Sequence, residues 1–216
     1  MRNTLKSLGY VWKRVRKSSK NKRDDYSFYK AQKQLKSWQT QADKGKLDLY
    51  YFDEAGFNLT PSVPYAWQKR NERIEVPSLK SQNNTVLGFM NKDQDFHGYI
   101  QSGSANSDDV IHCFDDFCKK IRKGKSFKHK TIVMIDNAPT HTSKKFKLKI
   151  KEWDKLGLRI KFLPTYSPEL NLIETLWKFI KYKWISFKAY STKESLFNEL
   201  NFILYNIGTK YRINFN

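Results

Sequence analysis

From Leu47 onward the apolar residues alternate between short continuous runs and a spacing of three or four, the pattern of strands and helices taking turns. Strands are predicted at 48–57, Thr85–Met90 and Phe96–Ile100, the last two as a hairpin, and again at Lys130–Asp136 and Arg159–Leu163. A helix over Asp108–Lys123 buries Val110, Ile111, Phe114, Phe117, Cys118 and Ile121, and further helices are predicted at 143–156, 168–186 and 192–207. The order β-β-β-α-β-α-β-α gives a three-layer α/β fold with a mixed sheet flanked by helices. Before it, Leu5, Leu8, Val11, Trp12 and Val15 follow one helical stripe, and Phe28, Ala31, Leu35, Trp38 and Ala42 follow another that stops near Gly45. Residues 58–82, rich in Pro and charge, interrupt the strands.

Within the helix over 168–186, Ser167 is a good N-cap, Pro168 suits the first helical position and Glu169 complements the positive helix end. That places Glu174 further in, at the border of the apolar stripe Ile173, Leu176, Trp177, Ile180 and Trp184.

Composition narrows the function. The 216 residues are 39% hydrophobic and 15% aromatic, enough for a substantial core, and 41 Lys+Arg against 21 Asp+Glu give a formal charge of +20. Such an excess is the footprint of a protein that sits on phosphates. Residues 1–46 hold 14 of the basic residues against three Asp, so the start is a separate, very basic region. Cys113 and Cys118 are too few for a disulfide framework and read as reduced core residues, while His97, His112, His129 and His141 follow no zinc-ligand spacing. Without a signal-peptide pattern or a membrane-length apolar run, a cytoplasmic location is expected.

Against this basic background, Asp53 and Asp136 follow apolar strand residues and Glu174 sits on a helix. Each alone has an ordinary role: an Asp beginning a turn, or Glu174 paired with Lys178 one helical turn on. Together, three carboxylates a few ångströms apart would repel by about 4 kcal/mol per pair at an effective dielectric of 20. They would need a cation or protons. Oxygen-only ligands favour Mg²⁺ or Mn²⁺ over zinc, and such ions activate a water or a 3′-hydroxyl for phosphoryl transfer.

Four blocks carry a resemblance: Tyr51-Phe-Asp53-Glu54-Ala-Gly56-Phe57, Tyr65-Ala-Trp67, Asp136-Asn137-Ala138-Pro139-Thr-His141 and Leu163-Pro-Thr-Tyr166-Ser167-Pro168-Glu-Leu170-Asn171-Leu-Ile-Glu174-Thr-Leu-Trp177. In their order, with 37 residues between Asp136 and Glu174, the chain resembles DDE-type transposases of the mariner superfamily in its bacterial insertion-sequence branch. The resemblance implies an RNase H-like catalytic domain that cuts transposon ends and joins them to target DNA with two Mg²⁺ or Mn²⁺ ions. It makes Asp53, Asp136 and Glu174 both catalytic residues and metal ligands, with Asn137 and His141 shaping the site. His141 also reads as an ordinary capping or turn residue before the next helix. By strand alternation Glu54 should point away from Asp53.

On this reading residues 1–23 are the end of a helical DNA-binding region truncated at its amino terminus, 24–46 a connector, 47–208 the catalytic domain and 209–216 a tail. The segment Trp67-Gln-Lys-Arg-Asn71 lacks a glycine that the family leads one to expect. Expected partners are transposon and target DNA, a second copy of the chain and a recognition domain encoded upstream. Lys13, Arg14, Arg16, Lys17, Lys144, Lys145, Lys178 and Lys181 are candidate phosphate contacts, though a basic helix face also exists simply to be solvated. Two other functions fit the same residues: a stand-alone RNase H-like nuclease, and a non-catalytic DNA-binding descendant of a transposase.

Overall fold

Strand β1 (Leu47–Phe57) runs through the middle of a five-stranded sheet ordered β3-β2-β1-β4-β5. On one side it pairs antiparallel with β2 (Asn84–Asn91), which turns back into β3 (Phe96–Ser102). On the other it pairs parallel with β4 (Lys130–Ile135), and β4 with β5 (Leu158–Phe162). The computed structural model describes residues 2–11, 20–62, 84–122 and 129–215 together with 70, 73 and 75. The block Tyr65-Ala-Trp67, most of the segment Trp67–Asn71, and Lys13, Arg14, Arg16 and Lys17 lie outside the described residues.

Alternation along β1 builds two cores. Leu47, Leu49, Tyr51, Ala55 and Phe57 face a layer made by α2 (Asp25–Asp43), α6 (Ile173–Phe179) and α7 (Lys193–Tyr205). Tyr50 and Phe52 face the opposite layer, made by α3 (Ser107–Arg122) and α5 (Lys144–Lys155), with the four-residue helix α4 (Pro139–Thr142) between β4 and α5. That second core is aromatic: Phe89 stacks on Phe117 at 3.9 Å, and Phe114 packs between Phe52 and Trp153. Cys113 and Cys118 are buried there as free thiols. Among the described residues no helix is long and apolar enough to cross a membrane.

Helices α2, α3, α5 and α7 stand where periodicity predicts them, whereas the helix predicted over 168–186 is divided and the amino-terminal stripe departs from its pattern. Helix α1 (Arg2–Ser7) stops where Gly9 turns to φ +81, so the stripe Leu5, Leu8 and Val11 continues no helix. All three of those residues are exposed, and the rest of the stripe, Trp12 and Val15, lies outside the described residues. Helix α2 starts with Asp24 capping Ser27 N–H and lies on the sheet through buried Phe28 and Leu35. Arg23 at its start stacks on Phe28 at 3.8 Å and reaches Glu169 at 2.6 Å.

The far end of α3 is fixed by Arg122, which donates to the carbonyls of His129 and Gly157, both at 2.7 Å, and to Thr131 Oγ1 at 3.2 Å. Gly157 supplies the turn from α5 into β5 at φ +82, and a Cβ there would meet the Arg122 guanidinium at 3.0 Å. Gly157→Ala is therefore expected to lower stability by about 1–3 kcal/mol in urea denaturation, through backbone strain and the displaced arginine.

Candidate active site

Asp53 lies inside β1, as the predicted strand over 48–57 requires, because the strand continues to Phe57. Parallel pairing with β4 nevertheless stops at Tyr51, so Asp53 stands just past the last β1–β4 rung. Its antiparallel partner is Gly88, and the absent side chain there matters: a Cβ would lie 2.9 Å from the Trp177 ring and 2.8 Å from Phe96. In that slot Trp177, nearly fully buried on α6, donates its indole N–H to Asp53 Oδ2 at 3.1 Å. Burial and the neighbouring carboxylates of Glu174, Glu54 and Asp136 push the Asp53 carboxyl up to about 8.

Asp136 follows β4 directly and accepts the Ala138 N–H at 3.0 Å, which shapes the turn into α4. Beside it Asn137 donates to the Leu163 carbonyl at 2.5 Å, closing the ends of β4 and β5. His141 on α4 is neither a cap nor a turn residue. Fully buried, its Nδ1 lies 2.7 Å from Asp136 Oδ1 and its Nε2 3.0 Å from Glu54 Oε1. Burial alone would lower the imidazole, but these two hydrogen bonds and charges raise it to about 10. The pair with His141 correspondingly holds Asp136 below the usual carboxylate range. Glu54 does point away from Asp53, yet through His141 it is joined to the second carboxylate from the opposite face of the sheet.

Glu174 is placed by a different helix from the one predicted. Pro168–Leu170 forms a separate 3₁₀ turn, Ser167 makes no side-chain cap bond, and α6 begins only at Ile173. Glu174 thus sits in the first turn of α6, where a carboxylate is favoured by the helix end, and Glu169 pairs with Arg23 instead. Among the described residues Glu174 makes no ion pair with Lys178, which is exposed. Helix α6 passes into a π-helical turn, Ile180–Trp184, a distortion often found beside functional sites. It carries Lys181 half-buried, 5.2 Å from the Phe57 ring, lowered by desolvation while Glu174 and Asp53 act to raise it.

These elements bound a cleft of about 400 Å³ lined by Asp53, Asp136, Asn137, Tyr166, Asn171 and Glu174 among others. Tyr166 stands on its wall at φ 56, half exposed. Asn171, 4% exposed, donates Nδ2 to the Phe52 carbonyl at 3.2 Å and meets no donor at Oδ1. An unmet buried acceptor costs about 1–3 kcal/mol. No three His, Cys, Asp or Glu side chains among the described residues are gathered tightly enough to hold an ion between them, so the carboxylates line a cleft and do not form a closed cage. The donor chemistry nonetheless fits a hard divalent cation: the three carboxylates offer only oxygen, and a cation would relieve the repulsion that lifts Asp53.

Sequence reasoning missed Glu54, Trp177 and Asn171 as parts of the site. Strand alternation placed Glu54 away from Asp53, but only tertiary contact reveals its histidine. Of the lysines, Lys144 is exposed and Lys145 pairs with Asp108 at 3.0 Å. Because His141 is a buried cation between two carboxylates, His141→Ala should cost about 3–5 kcal/mol in urea denaturation, whereas Lys145→Ala should stay within about 1 kcal/mol of wild type.

The DDE superfamily endonuclease family matches this chain over residues 48–197. No curated protein matches the sequence. Among solved structures, the Mos1 mariner paired end complex with Mn superposes with a TM-score of 0.63 at 13% identity, covering 94% of this chain and 62% of that one. The catalytic domain of Mos1 mariner transposase gives 0.57 at 10% identity, covering 91% and 85%. A simian T-cell lymphotropic virus intasome bound to PP2A regulatory subunit B56 gamma gives 0.53 at 14% identity, covering 78% and 51%. The five-stranded mixed sheet with helices on both faces is thus the RNase H-like fold of the Mos1 catalytic domain, and this chain spans about three fifths of the full Mos1 chain in the paired end complex. Since the family match runs from β1 into α7 and takes in every strand and the whole cleft, the chain belongs to the DDE superfamily endonucleases.

Proposed function

We propose that this chain is the catalytic part of a transposase, of the bacterial insertion-sequence type its sequence blocks resemble, which cleaves DNA at transposon ends and joins them to target DNA. The observation that carries the reading is the meeting of Asp53, Asp136 and Glu174, from two strands and a helix, on the walls of one cleft in a chain of charge +20. Mos1 structures with Mn and with Mg are similar in fold, which supports a divalent ion here. Asp53, Asp136 and Glu174 would hold two Mg²⁺ or Mn²⁺ ions, which would supply Lewis-acid stabilisation of a displaced phosphate oxygen and would lower the pKa of a nucleophilic water or 3′-hydroxyl.

The chain's own groups do the rest. Trp177 and His141 each fix one aspartate so that the carboxylates need not reorganise as DNA enters, the economy expected of a preorganised site. The doubly bonded His141 stays a cation and partly offsets the acidic cluster that phosphate must approach. Lys144 at the start of α5 and Lys178 one turn beyond Glu174 on α6 come after the second and third carboxylates in the chain, where they would neutralise backbone phosphates without reading sequence.

On supercoiled plasmid with Mn²⁺ or Mg²⁺, the wild type is expected to nick and to join 3′ ends, and Glu174→Gln to fall to the metal-free background while binding DNA as before. Cleavage that survives in Glu174→Gln, or that persists in EDTA, would sink the reading. The slope of log K against log salt should shrink by about one unit in Lys144→Ala and by less in Lys145→Ala, whose charge Asp108 already meets. Equal slopes for both variants would remove α5 from the DNA path.

A further inference from the structure

Among the described residues, Asn171 is the one buried polar side chain of the cleft whose hydrogen-bonding capacity is split: one end is used and the other is left over. Its amide nitrogen is committed to the Phe52 carbonyl, the residue preceding Asp53, at 3.2 Å. That bond decides which end of the amide faces where. The oxygen is the end that meets no donor, in a residue 4% exposed that lines the same cleft as the three carboxylates. Buried acceptors without a donor are rare in folded proteins and ask for a partner outside the chain.

The local backbone is built to keep the residue there. The 3₁₀ turn Pro168–Leu170 ends at Asn171, whose own N–H returns to the Pro168 carbonyl at 3.0 Å. Its carbonyl then accepts the Glu174 N–H at 3.1 Å, so the third carboxylate and the amide are set by one short segment. The same segment holds β1 twice, through Asn171 at Phe52 and through Trp177 at Asp53.

Resting on the proposed metal-dependent reading of the cleft, we infer that Asn171 Oδ1 is a fourth oxygen ligand for the divalent cation, a neutral one set among three carboxylates. Hard cations accept amide carbonyl oxygens alongside carboxylates, and a neutral oxygen completes a coordination shell without adding to the repulsion that already lifts Asp53. A strictly structural role would use the nitrogen alone.

Two substitutions separate these roles, because both remove the donor to Phe52 and only one keeps an oxygen. Asn171→Leu and Asn171→Asp are compared with wild type and Asp53→Asn by titrating Mn²⁺ alone, reading free Mn²⁺ by electron paramagnetic resonance, with thermal melting on each protein. The expected result is a loss of Mn²⁺ affinity of about tenfold or more in Asn171→Leu and affinity at or above wild type in Asn171→Asp, with similar melting temperatures for the two. An equal fall in both variants would reduce Asn171 to an anchor of β1, and unchanged affinity in Asn171→Leu would assign its oxygen to ordinary water; either overturns the inference. Should the leucine variant fail to fold, Asn171→Ala takes its place against Asn171→Asp with the same two readings. Wild type and Asp53→Asn binding Mn²⁺ alike would instead overturn the proposed function itself, and this inference with it.

Discussion

Crowding of negative charge at the end of the parallel strands is the constraint around which this molecule is arranged. Asp53 is largely withdrawn from water with Glu174, Glu54 and Asp136 all acting on it, and its carboxyl is driven far above its ordinary range. A fold selected for stability alone would disperse these groups or neutralise them with arginine. Here the cation hydrogen-bonded to the cluster, among the described residues, is an imidazolium, and the side-chain donor to the first aspartate is a neutral indole N–H. The carboxylates are thus kept crowded together rather than paired off with arginine or lysine, although the chain as a whole carries +20.

Both halves of the sheet contribute to holding that charge. Residue alternation along β1 sends Asp53 toward the α6 layer and Glu54 toward the α3–α5 layer, so two adjacent acids enter different environments. On the first face Gly88 leaves room for Trp177, and Phe96 packs edge-on against the same indole. On the second, His141 lies against Phe52 and Phe146 and spans Glu54 and Asp136. The aromatic core therefore has two tasks, because the rings that fill the layers also carry the N–H groups that orient carboxylates.

Much of the fold was legible because its signals are local. The five strands and the helices α2, α3, α5 and α7 follow from periodicity, and the structure shifts their ends by a residue or two, as fraying ends allow. The errors fall where local signals compete. Ser167, Pro168 and Glu169 are a sound helix start by every capping rule, but the chain spends them on a separate turn that seats Asn171 against β1, and the helix begins later. At the amino terminus an apolar stripe suggests a helix through Val15, while Gly9 at φ +81 ends it after Ser7 with Leu8 and Val11 left in solvent.

By itself the sequence determined the order of the elements, the α/β class, the basic character and the identity of three acids worth bringing together, since each depends on spacing, composition or motif within a short stretch. It could not determine which side chains complete the cleft. That Glu54 reaches Asp136 through His141, that Trp177 answers Asp53 across Gly88 and that Asn171 is seated against Phe52 are all contacts between residues far apart in the chain. They exist only once β1 is paired on both sides and covered on both faces, because hydrogen bonds of this kind are fixed by distance and angle in three dimensions, which periodicity along one dimension does not encode.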